Sequence, residues 1–450
     1  MGRTRCHGLS IWGEQGSPTT SRPTLVEAEL VPGGDPQTLT DWCLKSLSGP
    51  IGRSLDPEVD LSMLTVVVPS FNRQDYLLRQ IRFWASSSAR LLIVDGSTLP
   101  IDGRIRSAVD AHPGIEYLHH PGGFVERVSL AAGLIETPYA VLLGDDEFHL
   151  KTGLAAALEV LEGEGDLVGC MGQVLSFSPV GAYRRIVFAR AYSSLQGYQV
   201  RHDQPQDRLI AAMSEYTMAA CYAVLRTPIW RRSWGTIGNW ESAHACEMQQ
   251  AMAVHLLGGL TTTNHIQWLR STENPPVGNT SEDGGAGVSA DQSTGIWFPE
   301  WWESPPYETE RRAFVTMLTE AVSEKLGVRG DECSQWVSAG AKTFIAGHRG
   351  QFDFDVTSHG IAARLRPLVA SFLRKIARQF PDRIFLGAKR LRGSVLRTLG
   401  RPGGDYYGTV NDLPKVLESE GVRLTSAAAE ELSFVETMVR EFHTIRDEET

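Results

Sequence analysis

Short apolar runs, each closed by polar residues, set the rhythm of the first half of the chain. Leu64-Thr-Val-Val-Val is continuous and rich in β-branched residues, the pattern of a strand buried on both faces of a parallel sheet. Arg90-Leu-Leu-Ile-Val, Ile115-Glu-Tyr-Leu and Tyr139-Ala-Val-Leu-Leu follow as further strands. Between them the spacing becomes helical: Tyr76, Leu77, Ile81 and Trp84 share one face of a helix over 74–85. Helices are also predicted over 102–111 and 124–135. Strand alternating with helix predicts an α/β fold with a doubly wound, mostly parallel sheet. Downstream, strands are expected over 166–176, 184–191, 216–225 and 261–268. A helix over 248–257 ends at Gly258-Gly259.

The pattern divides the chain into four parts. Residues 1–60, rich in Gly, Pro, Ser and Thr, are expected to be a partly flexible extension with one short helix near 39–47. Residues 61–275 carry the strand–helix alternation. Residues 276–296, with almost no apolar content, are predicted to be a flexible loop or linker. Residues 297–450 are predicted to be mainly helical, with helices over 307–347 and 425–447. A basic amphipathic segment lies within this last part, at 361–401, where Arg and Lys recur against Asp382 alone. Either it makes peripheral contact with an anionic membrane, or it is a packed helix pair with a solvated charged face.

Composition narrows the classes further. The chain of 450 residues has a formal charge of -10, which argues against nucleic acid as the main partner. Its six cysteines are scattered, without the spacing of a disulfide framework or zinc site. No apolar segment reads as a signal peptide or a membrane span. Together these predict a cytoplasmic protein, peripheral on a membrane if 361–401 binds one.

The candidate chemistry gathers at the strand ends. Three strands finish in polar groups that point to one rim: Ser70/Asn72/Arg73, Asp95/Ser97 and Asp145/Asp146/Glu147. Open α/β sheets bind ligands at such a rim. Three consecutive carboxylates repel one another and call for a cation, and hard divalent metals prefer oxygen ligands. The plain alternative is an acidic turn capping the helix that follows. No G-x-G-x-x-G follows the first strand and there is no P-loop, so neither a dinucleotide fold nor a Walker-type NTPase is supported.

Val-Val-Val-Pro-Ser-Phe-Asn-Arg (66–73), Leu-Leu-Ile-Val-Asp-Gly-Ser (91–97) and Tyr-Ala-Val-Leu-Leu-Gly-Asp-Asp-Glu-Phe (139–148) agree in order and spacing with one family. The chain over 64–274 resembles the nucleotide-sugar half of GT-A glycosyltransferases of the family 2 type. The resemblance implies a sugar transfer from a nucleoside-diphosphate sugar to a hydroxyl acceptor (a glycan, a lipid-linked glycan or a protein), with inversion. It implies that Pro69, Phe71 and Asp95 line a base pocket. It implies a divalent metal, Mn²⁺ or Mg²⁺, at an Asp-x-Asp-like site, with Asp145 towards ribose and metal and Glu147 as ligand. Glu stands where the family has Asp, which gives Asp146 a share of that role. Arg73, Arg127 and Arg270 are candidate diphosphate contacts, and a solvated arginine is the alternative for Arg73 and Arg127.

Two further assignments come from the same resemblance. Glu247 stands where the family carries its catalytic base, with Cys246 at the place of a second acid; Glu241 and His244 are rivals, and a first-turn helix acid is the plain alternative. His265 is a candidate metal ligand, or a structural histidine in a strand. Trp297, Trp301 and Trp302 are expected to pack rather than to stack on sugar. Two other functions compete. A nucleotidylyltransferase would need a basic Gly-rich loop after the first strand, and Pro69-Ser-Phe-Asn-Arg is not one. A catalytically inactive relative that binds nucleotide or glycan, or serves as a scaffold, is the stronger alternative.

Overall fold

The computed structural model describes residues 38–47, 59–180, 183–274, 296–356 and 406–449. In chain order its elements are α1 (Leu39–Leu47), β1 (Leu64–Ser70), α2 (Gln74–Trp84), β2 (Arg90–Asp95), α3 (Gly103–Asp110), β3 (Ile115–His119), α4 (Phe124–Leu134) and β4 (Tyr139–Leu142). Then come β5 (Phe148–His149), α5 (Lys151–Gly163), β6 (Leu167–Val180), β7 (Arg185–Ala191), β8 (Gln199–Val200), α6 (Pro205–Ser214), β9 (Val224–Arg226), α7 (Thr227–Ser233), α8 (Ala243–Leu257) and β10 (Gly259–Ser271). The chain closes with α9 (Phe298–Glu303), α10 (Glu308–Leu326), α11 (Gly330–Val356), β11 (Tyr406–Gly408), α12 (Leu413–Ser419) and α13 (Ser426–Glu449).

The predicted α/β class holds. Strands run β11-β7-β6-β9-β4-β1-β2-β3 across the sheet. From β4 to β3 every pairing is parallel, with Val66 opposite Leu91 and Val141. Past β4 the character changes, because β9 pairs antiparallel with both β4 and β6. Alternate residues of β1 feed two cores. Val66 and Val68 join Trp42, Leu77, Ile81 and Ile105 on one face. Val67 joins Val128 and Ala131 of α4, with Met248 of α8, on the other. Each such fully buried aliphatic side chain contributes about 1.5–3 kcal/mol. Burial on both faces is why β1 reads as a continuous apolar run rather than an alternating one.

Two departures from the expected elements have physical causes. The helix expected over 307–347 is two helices, broken at Gly327, which adopts the left-handed conformation (φ 65°) that ends α10. The strand expected over 216–225 shrinks to β9, and Tyr216 to Ala223 instead form a connection against α8. Helix α13 returns to the first core, burying Leu432, Val435, Val439 and Phe442 beside α2. Residues 276–295 and 361–401, the expected loop and basic segment, lie outside the described residues. No helix among the described residues is long and apolar enough to cross a membrane.

Candidate functional site

The acidic turn follows β4 directly, and parallel pairing puts the end of β1 beside it. Asp145 is buried; it accepts hydrogen bonds from Ser70 Oγ (2.7 Å) and Arg73 Nη1 (3.2 Å). Asp146 lies 3.5 Å from the same Arg73 nitrogen and accepts from Asn274 Nδ2 (2.8 Å). Glu147 turns another way, accepting from Trp268 Nε1 of β10 (2.9 Å). Burial, reinforced by the Asp146 charge and opposed by Arg73, pushes Asp145 up to about 6. Burial and Asp146 push Glu147 up to about 8, with Arg270 and the Trp268 hydrogen bond pulling the other way.

Those directions bear on the expected metal. The donor set is chemically right for a hard cation, being all oxygen. In the arrangement seen, Asp145 and Asp146 share Arg73 while Glu147 turns away to Trp268. No group of three His, Cys, Asp or Glu side chains among the described residues is arranged to hold an ion. As folded, a single guanidinium stands between Asp145 and Asp146 and offsets part of their charge. His265 is not brought to it. Its backbone bridges to Arg423, and its side chain lines a groove with Glu159 and Arg423, between α5 and the α12 region.

The second and first blocks meet at the same rim. Asp95 is fully buried with both oxygens engaged: Oδ1 accepts from the Ser97 amide (2.9 Å) and hydroxyl (2.5 Å). Oδ2 accepts from Tyr117 Oη (2.8 Å) and Gln74 Nε2 (3.2 Å). Asp95 therefore ties the turn after β2 to β3 and to the start of α2. Pro69 and Phe71 are half-buried beside it. Arg127, from α4, lies with its guanidinium 5.6 Å from the Phe71 ring centre and is only 4% exposed. Its Nε and Nη1 have no hydrogen-bond partner among the described residues. Burial lowers its pKa, and the charges of Asp145 and Asp95 oppose that. A Cβ on Gly96 would sit 1.8 Å from Arg127 Nη1, so glycine is what admits the guanidinium to this rim. A buried cation with unused donors is several kcal/mol short of compensation. A bound anion would supply it.

Glu247 marks a second, buried polar site. Helix α8 starts at Ala243, capped by Ser242 Oγ, which accepts from the Ala245 amide (3.2 Å). Glu247 therefore lies one turn inside the helix rather than at its opening, and it is 1% exposed. It accepts a hydrogen bond from Tyr216 Oη (2.5 Å). Burial pushes it up to about 7, and Tyr216 only partly opposes the rise. Its rivals are placed less well. Glu241 is exposed, and His244 is wedged among Trp297, Phe298 and Phe344 and pushed down to about 3 by burial. Cys246 is buried with its thiol on Gly238 O. Trp301 packs on Trp240 and Phe314, as expected of the tryptophan cluster.

Aromatic side chains lie between the acidic turn and Glu247. Trp268, which holds Glu147, lies parallel between Tyr222 (3.9 Å, 18°) and Tyr192 (5.5 Å, 14°). The Tyr192 phenol feels the charges of Arg270, Glu247 and Glu147 together. Arg270 stands 5.8 Å over the Tyr192 ring. Tyr192 itself is left-handed (φ 51°, ψ 52°), a strained conformation for a bulky residue that concentrates at functional sites. Sequence reasoning did not single out Tyr192, Tyr216 or Tyr222, and it took Trp268 only as the end of a strand. Their sole linear signal is a density of tyrosine in the 192–222 stretch.

No family model and no curated protein matches the chain. Among solved structures, S. aureus TarS 1–349 aligns over 85% of this chain and 90% of its own, at 9% identity and a TM-score of 0.40. The same TarS fragment in complex with UDP-GlcNAc gives the same values. The longer S. aureus TarS structure is covered over 55% of its length, at 10% identity and a TM-score of 0.40.

Proposed function

We propose that this protein transfers a sugar from a nucleoside-diphosphate sugar to a hydroxyl acceptor, with inversion at the anomeric carbon. One observation carries the reading: three motif blocks far apart in sequence converge on one rim, where Arg127 is buried with donors unused. The nucleoside lies against Pro69 and Phe71, and Arg127 and Arg73 face the diphosphate. Arg270 completes the positive lining on the acceptor side. As the sugar–phosphate bond breaks, negative charge grows on the leaving diphosphate, and preplaced guanidinium groups stabilise it. Glu247 removes the proton from the acceptor hydroxyl as that oxygen attacks the anomeric carbon from the face opposite the leaving group. A base with a pKa near the working pH suits that step, and burial is what raises Glu247 to about 7. The aromatic wall of Tyr192, Trp268 and Tyr222 excludes water between the two sites.

The test is a thermal-shift and calorimetric screen of UDP, GDP, CDP and dTDP, each with and without Mn²⁺, followed by turnover assays with the matching nucleotide sugars. UDP-GlcNAc, the ligand in the TarS complex, belongs in that set. The expected result is binding of one nucleotide in the absence of metal, weakened about 10–100-fold in Arg127→Ala. No response to any nucleotide would end the reading.

A further inference from the structure

The backbone of the acidic turn is held by side chains outside the sites described above. Gln80 Nε2 donates to the carbonyl oxygens of Asp145 (3.0 Å) and Glu147 (2.6 Å), and Arg79 Nη2 donates to that of Asp146 (2.8 Å). Two adjacent residues of α2 thus grip three successive carbonyls. Trp84 Nε1 fixes the Gln80 amide by donating to Oε1 (3.2 Å). Arg79 is fully buried, its guanidinium 4.7 to 5.0 Å from the ring centres of Tyr76, Phe148 and Phe442. Its charge is met by Glu273, at the end of β10, through two bonds of 2.9 and 2.8 Å. Glu273 also accepts from Ser271 Oγ (3.0 Å) and meets Nε2 of His443 on α13. The His443 ring stacks on Tyr183 at 3.9 Å.

Helix α13 grips the far side of the same segment as well. Glu431 accepts from the amides of Lys151 (2.8 Å) and Thr152 (3.0 Å) and from Thr152 Oγ (2.7 Å). These are donors at the start of α5 that have no partner within the helix. The stretch from Asp145 to Thr152 is therefore held at its far end directly by Glu431 of α13 and at its near end by Arg79 and Gln80 of α2, which α13 reaches only through Glu273.

We propose that Arg79 and Gln80 are positioning residues for the acidic turn, and that His443, through Glu273, makes α13 part of the same brace. The carboxylates of Asp145 and Asp146 can face Arg73 because their own carbonyls are turned inward and satisfied. Freeing those carbonyls would let the turn rotate and the carboxylates leave the rim. The activity arm of the test rests on the proposed function; the structural arm does not.

The experiment is amide hydrogen exchange of the full chain, comparing peptides covering 143–149 with those covering 64–69, alongside sugar-transfer kinetics. Three variants are used: Gln80→Leu, His443→Phe and His443→Gln. Gln80→Leu and His443→Phe are expected to speed exchange over 143–149 about tenfold while leaving 64–69 unchanged. Both should lower kcat about 10–100-fold with little change in acceptor KM. His443→Gln keeps a donor for Glu273 and should restore both values towards wild type. Unchanged exchange at 143–149 in both variants would overturn the proposal, as would an increase matched at 64–69, which marks general loosening. A wild-type protein that turns over no nucleotide sugar would sink the proposed function and leave the brace to be decided by exchange alone.

Discussion

Glu247 and Glu273 are both buried glutamates, and the fold holds them in opposite states. Glu273 sits between Arg79 and His443, and those partners hold it down to about 2 against the penalty of burial. Glu247 accepts a hydrogen bond from Tyr216 and still rises to about 7, because burial outweighs that bond. The difference separates a carboxylate suited to bracing from one suited to the base role proposed for Glu247. A carboxylate whose charge is fully matched fixes two segments together and has no reason to take up a proton near neutrality. A carboxylate left short of partners costs stability when ionised, and for that reason it binds a proton readily.

Making the same chemical change at both positions is the sharpest way to break this comparison. Glu247→Gln should lower sugar transfer by about 10²–10⁴-fold while leaving nucleotide affinity near wild type. The variant should also be the more stable protein at pH 8. The folded pKa of Glu247 lies above its ordinary value, so wild type loses stability as pH rises from about 4.5 through about 7. Glutamine carries no such penalty, and the gain should be at most roughly 3 kcal/mol by denaturant unfolding. Glu273→Gln should do the reverse, costing about 3–5 kcal/mol because Arg79 is left buried and unpaired. Here the folded pKa is depressed. The contribution is present above about pH 4.5 and is lost as pH falls towards about 2. Two Glu→Gln variants shifting stability in the same direction at pH 8 would show the distinction to be false.

The two regions also differ in how legible they were in the sequence. The donor rim could be read because parallel strands bring their carboxyl ends to one edge whatever the loops do, so Ser70, Arg73, Asp95 and Asp145 had to lie together. Arg127 could be singled out as a basic residue, but not as an unpartnered one. That depends on Gly96 leaving room for its guanidinium. The Glu247 site is built from separate segments at Tyr192, Tyr216, Tyr222 and Trp268, brought together by antiparallel pairings that no periodicity specifies. The start of α8 lies five residues before the expected one because Ala243 to Glu247 carry no amphipathic signal when nearly every face of the helix is buried. The metal expectation came from three adjacent acids at a strand end and from the resemblance to an Asp-x-Asp site. What the linear pattern does not carry is that the fold sends Glu147 to Trp268 and lays Arg73 across the other two.

Arg127 tests the donor side of the comparison with a smaller effect. Removing a charge-assisted contact to a diphosphate should weaken nucleotide binding by about 10–100-fold, the equivalent of about 1.5–3 kcal/mol. Stability should rise or stay level, because the free protein is relieved of a buried cation with unused donors. Arg127→Leu measured by calorimetry and by denaturant unfolding gives both numbers. A large loss of stability with unchanged affinity would make Arg127 a member of the brace class and remove it from the site.

The smallest effect is also the most specific. Tyr216 is the one group that favours the ionised form of Glu247, since its hydroxyl donates to the carboxylate at 2.5 Å. Tyr216→Phe keeps the ring, which packs edge-on against Phe344, and deletes only that donor. Without it the protonated form of Glu247 gains ground and its pKa rises further. The limb of the pH–rate profile on which activity increases with pH, centred near 7 in wild type, should then move to higher pH by about one unit or less. At pH 9 the variant should approach the wild-type rate, whereas at pH 6.5 it should fall several-fold below it. A pH-independent drop would mean that Tyr216 positions substrate and does not tune Glu247. An unmoved profile would mean that the titrating base is some other group, and the contrast between the two glutamates would then lose its functional half.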